Sequence, residues 1–131
     1  TFLYMNLKTI FKRLVLLDLS LLILIIVSIF FESEEVLRFN ESLDSISNMT
    51  LTLSVILLLV YPINLFLLYR FISIGKQMYL IVFVLSIILS LIVGVGAADP
   101  WSYVIDGLGW SVSGAILVLL YFSPIKKEFE K

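Results

Sequence analysis

This chain of 131 residues contains no cysteine and no histidine. The first absence excludes disulfides and thiolate ligands; the second excludes imidazole, so the usual donor sets for zinc, haem, copper and iron–sulfur clusters are missing. Cys–His nucleophiles and Ser–His catalysis are excluded with them. Only carboxylate chemistry is left. No paired carboxylates on one span, phosphate-cradling glycine loop or nucleophile motif frames it. The expectation is a non-enzymatic protein with no metal and no cofactor. Charge is also scarce, at 15% of residues against 61% hydrophobic, and the net charge is −1. That balance lies far from a soluble domain's and leaves no basic footprint for nucleic acid.

What the sequence does have is long apolar runs. Four can be drawn, over 14–31, 49–69, 78–98 and 100–122, each near the ~20 residues needed to cross a bilayer as a helix. A soluble fold would need polar helix faces that these runs lack. The expected fold is all-α and polytopic: one domain of four transmembrane helices in an antiparallel bundle. Ahead of the first run, Phe2, Leu3, Leu7, Ile10, Phe11 and Leu14 recur at helical spacing beside Lys8, Lys12 and Arg13, which reads as an interfacial lead-in. No small-residue cleavage site follows Phe31, where Glu32, Ser33, Glu34 and Glu35 stand instead. The first span is therefore expected to be retained.

The charges between the runs are sorted by sign. Lys8, Lys12, Arg13, Arg70, Lys76, Lys126, Lys127 and Lys131 fall on one side, with Arg38 alone among basic residues on the other, beside Glu32, Glu34, Glu35, Glu41, Asp44 and Asp99. Basic residues in short loops resist translocation, so both termini are expected in the cytoplasm, the membrane being a bacterial cytoplasmic one. Tyr69, Tyr79 and Tyr121 sit at predicted inner ends and Trp101 and Tyr103 at an outer end, as an aromatic belt would. Trp110, well inside the last span, wants a partner or a wet cavity for its indole N–H.

In the long outer loop Val36, Phe39, Leu43 and Ile46 repeat every three to four residues, which predicts a short helix on the membrane surface. Asn40-Glu41-Ser42 and Asn48-Met49-Thr50 match the glycosylation sequon and are read as chance matches. Asp99-Pro100 predicts a helix start, the carboxylate capping free N–H groups and proline at the first position.

Small residues recur every fourth position in span three, at Ser86, Ser90, Gly94 and Ala98, and span four answers with Gly107, Ser111 and Ala115. Such faces let helices approach closely in lipid, predicting close packing of these two spans or self-association. Ionisable residues inside spans are costly, which singles out Asp18 and Asp106. Asp18 and Asn64 fall at a common depth, and Arg70 and Arg13 can reach down from the inner interface. A structural network of Asp18, Asn64 and Arg70 is expected, a proton or cation relay being its rival. For Asp106 the alternatives are an interfacial cap, if span four effectively begins there, or an outward polar pocket with serines. Pro62, two residues before Asn64, can kink span two.

The leading expectation for function is association in the lipid bilayer, with itself or with another membrane protein. An ion or proton pathway through Asp18, Asn64 and Asp106 is the alternative, separable by one observation. A water-filled cavity reaching both aspartates favours the pathway, and dry, salt-bridged carboxylates favour association. A membrane-acting toxin, immunity or defence component is a third class.

Overall fold

The computed structural model describes residues 2–131, and every regular element among them is helical. Helix α1 spans Phe2–Ser28 and runs into a 3₁₀ turn at Ile29–Phe31; α2 spans Glu34–Glu41, α3 Asn48–Tyr69, α4 Ser73–Val93 and α5 Pro100–Phe122, followed by a 3₁₀ segment at Pro124–Phe129. Four of these are long and apolar enough to cross a membrane, at 30, 22, 21 and 23 residues with the 3₁₀ turn counted in the first. At about 1.5 Å per residue the three shorter ones match a hydrocarbon core of about 30 Å.

The first helix is longer than that because the expected interfacial lead-in is not separate. It is continuous with the span from Phe2, and its first turns meet the C-terminal 3₁₀ segment through Tyr4 and Lys8. Helix α4 departs from the expected 78–98, beginning at Ser73 and ending at Val93. Hydropathy marks where a helix is apolar, whereas its ends are set by hydrogen bonding. Gly94, at φ 78°, closes α4 in a left-handed conformation. Gly94 and Ala98 consequently lie in a non-helical connection and do not continue the Ser86 and Ser90 stripe.

The α3–α4 turn shows how local chemistry sets the packing. Phe71 takes φ 55°, with its N–H bonded to the Leu68 carbonyl and that of Ile72 to Leu67. This is a Schellman closure built on phenylalanine where glycine is usual. A left-handed non-glycine residue costs about 1–2 kcal/mol. The Phe71 ring offsets this by stacking on Phe11 at 5.7 Å and tilting against Phe129 at 5.5 Å. Gly75 then lets α4 press on α3, since a Cβ there would lie 2.9 Å from that of Leu67.

The most extensive helix contacts pair α1 with α5 and α3 with α4, while α4 and α5 meet sparsely. Close packing of spans three and four through small residues is therefore not what holds the molecule together. A Cβ at Gly107, Gly109 or Gly114 would meet nothing within 4 Å. The core lies toward the basic end, around Phe11, Leu65, Leu68, Ile116 and Leu120. The 3₁₀ segment completes it by turning back so that Ile125 and Phe129 are buried. Glu128 ties the segment down, bonding the Tyr4 hydroxyl, Lys8 at 3.0 Å and Lys131 at 2.9 Å.

At the acidic end a short helix, α2, forms within the expected stretch but stops at Glu41, leaving Leu43 and Ile46 beyond it. The Ser42 hydroxyl bonds the Phe39 carbonyl at 2.6 Å, a side-chain competitor for helical bonding. Asn40 holds α2 to the α4–α5 connection, donating to the Ala97 carbonyl at 3.1 Å and accepting from its N–H at 2.9 Å. Asp99 precedes Pro100 at the start of α5 but does not cap that helix with its side chain. Its carboxylate instead accepts from the Ser33 N–H at 2.8 Å, binding the two connections together.

Candidate functional site

Above the core the four long helices line an open cavity of about 290 Å³. Each contributes one stripe at helical spacing over two turns. Helix α1 supplies Asp18 to Ile25, α3 Ser54 to Tyr61, α4 Phe83 to Ser90, and α5 Ile105 to Ser113. A wall so built is roughly 10 Å deep at about 1.5 Å per residue. Leucine and isoleucine make up much of it, with Ser54, Ser86, Ser90 and Ser113 as polar points.

Asp18 forms the floor and is 3% exposed. Its Oδ2 accepts from the Tyr79 hydroxyl at 2.6 Å, from Tyr61 at 2.7 Å and, at 3.5 Å, from Ser113. Ser113 also lies 3.0 Å from the Tyr61 hydroxyl. Three donors from three other helices thus converge on one oxygen. The second oxygen, Oδ1, receives none among the described residues. Among the described residues no fully buried polar side-chain atom lacks a partner, so Oδ1 keeps a small exposed area, and Asp18 lines the cavity.

The expected Asp18, Asn64 and Arg70 network is not what the structure brings together. Arg70 and Arg13 are exposed, and no ion pair among the described residues includes either of them or Asp18. Asn64 is fully buried but serves the backbone: its amide N donates to the Gly75 carbonyl at 3.0 Å and its O accepts from the Tyr79 N–H at 2.9 Å. It therefore positions Tyr79, which in turn holds Asp18. Pro62 lies inside α3, which continues through it to Tyr69.

Asp106 stands on the cavity wall on α5. That helix begins at Pro100, so Asp106 is no cap. No serine bonds it among the described residues, and it is exposed. Trp110 packs edge-on to Phe83 at 5.5 Å and joins the same wall, which answers the question of what surrounds an indole inside the span. Of the small residues, Ser86 and Ser90 line the cavity, whereas Gly107, Ser111 and Ala115 are exposed on α5.

Tyr61, Tyr79 and Ser113 were not expected at this site. Tyr79 in particular is 1% exposed and not part of an interfacial belt. The usable signal was depth, because a hydroxyl placed mid-span at the level of Asp18 is a polar group in need of a partner, like any other.

No protein-family model matches this chain, and no curated protein or solved structure matches it either. What fold and site define is a class: an all-helical chain with four membrane-length helices around a cavity floored by a buried carboxylate.

Proposed function

We propose that this is a non-enzymatic integral protein of a bacterial cytoplasmic membrane that binds a cation from the outer side, as a carrier in its outward-open form. In this reading the long helices form an antiparallel bundle with both termini cytoplasmic, and α2 lies at the outer interface. The observation that carries it is the free Oδ1 of Asp18 at the floor of a cavity that also reaches Asp106. A carboxylate withdrawn from water takes up a proton or a compensating positive charge, and among the described residues no basic side chain supplies that charge. Beneath it the core around Phe11, Leu65 and Leu120 is closed, which supports a site entered from one side over a continuous pore. Asp106 higher on the wall adds negative potential along the entry path.

The test is transport in proteoliposomes, with proton and organic- or alkali-cation fluxes followed in parallel. A cation-dependent flux lost in Asp18→Asn and slowed in Asp106→Asn is expected. Equal flux in wild type, Asp18→Asn and empty vesicles would remove the carrier reading.

A second reading, self-association, draws on the exposed Gly107, Ser111 and Ala115 of α5, spaced four apart. Ser111→Cys should then cross-link between copies in membranes. Absence of cross-linking there, with the exposed Ile81→Cys of α4 as comparison, would remove it.

A further inference from the structure

Resting on the cation-binding reading, the geometry points to an organic cation with a compact apolar body as the occupant of the cavity, its charged head at Asp18 Oδ1 and its body against Trp110 and Phe83. The floor carries a single carboxylate with one oxygen free, and that residue is 97% withdrawn from solvent, being 3% exposed. The hydroxyls of Tyr61 and Tyr79 are committed as donors to Oδ2. A hard metal cation wants about six to eight oxygens around it. No group of three or more acidic side chains suited to a metal occurs among the described residues. Asp106 is about 10 Å higher, counting seven residues from Ser113 at about 1.5 Å each, too far to join a shell at Asp18. Above the floor the wall is mainly hydrocarbon and aromatic with serines as scattered polar points, too few to replace the roughly six to eight oxygens a hard cation wants.

An alkylammonium head reverses each of those terms. It needs one counter-charge and few directional ligands, and its carbon substituents gain from an apolar wall. An indole beside the site adds attraction between its π face and a cation. The size fits too: about 290 Å³ would hold roughly ten waters at about 30 Å³ each, and lies near the lower bound of about 300 Å³ for small-molecule pockets.

The chain has two tryptophans, so Trp101→Phe leaves Trp110 as the sole reporter in detergent-solubilised protein. Its emission is titrated with benzyltrimethylammonium, the neutral carbon isostere neopentylbenzene, tetramethylammonium, sodium and calcium. The expected result is a saturable change with benzyltrimethylammonium, about tenfold tighter than tetramethylammonium, none with neopentylbenzene, and loss of binding in Asp18→Asn. A response to sodium or calcium that depends on Asp18, with none to benzyltrimethylammonium, would overturn this inference and leave the cation-binding reading standing. Equal affinity for tetramethylammonium would overturn the role of the apolar body. Neopentylbenzene binding as tightly as benzyltrimethylammonium, or no charge-dependent binding of any probe, would overturn both the inference and the reading beneath it. If Asp18→Asn does not fold, the comparison of isosteres on the Trp101→Phe protein decides alone.

Discussion

Tyr79 donates its phenolic proton to Asp18 Oδ2 at 2.6 Å, and the two residues are 1% and 3% exposed. They come from α4 and α1, so the bond ties the α3–α4 hairpin to the first span at the cavity floor. A hydrogen bond to a charged group contributes about 1.5–3 kcal/mol, a neutral one about 1. Tyr79→Phe is therefore expected to lower unfolding free energy in mixed micelles by about 1.5–3 kcal/mol, and by about 1 kcal/mol in an Asp18→Asn background. Identical losses in the two backgrounds would show the two side chains to be energetically uncoupled.

The orientation proposed above predicts opposite labelling. The chain has no native cysteine, so single cysteines at Ser42 and Lys127, both exposed, report cleanly. An impermeant maleimide added to intact cells should label Ser42→Cys, and Lys127→Cys only after lysis. Labelling of both in intact cells would refute three crossings between the two positions.

Glycine is needed at one helix contact and not at another. A Cβ at Gly75 would lie 2.9 Å from Leu67 Cβ and 3.3 Å from the Leu68 amide nitrogen, whereas at Gly114 nothing lies within 4 Å. Overpacking typically costs about 1–3 kcal/mol. Gly75→Ala should lower the unfolding midpoint accordingly, while Gly114→Ala is neutral or, through helix propensity, up to about 1 kcal/mol more stable. Equal behaviour of the two variants would contradict the packing described.

The docked C-terminal segment should respond to acid. The Tyr4 hydroxyl, then Lys131 and Lys8, hold the Glu128 carboxyl at about 2, below its ordinary 4.5. A carboxylate with a depressed value contributes stability that is fully present above about 4.5 and lost as pH falls toward about 2. An environment-sensitive dye on Lys127→Cys should report undocking within that window. The same dye on a Lys127→Cys, Glu128→Gln double variant should show a loosened segment with no titration there, and a persisting transition would assign the response to another group.

How far the site could be read in advance follows from the same residues. Asp18 and Asp106 stand out in the sequence because a charge inside an apolar run has few explanations. Their partners do not, since serine and tyrosine are unremarkable in such runs. Arg70 looked like the counter-ion by reach alone, yet in the structure it is exposed.

By itself the sequence determined the class of fold. Four apolar runs without polar faces require helices, because only a helix satisfies its own backbone hydrogen bonds where water is absent. It also determined the segregation of basic from acidic ends. The tertiary structure decided which helices pair, and so what surrounds Asp18. Helix α1 lies along α5 and α3 along α4, and the small residues of α5 are left out of the core. This information is lost in composition because, between apolar helices in lipid, no hydrophobic drive selects a partner. The selection comes from shape, and it is made by contacts such as Gly75 on Leu67 and Phe71 on Phe11, the latter joining residues far apart in sequence.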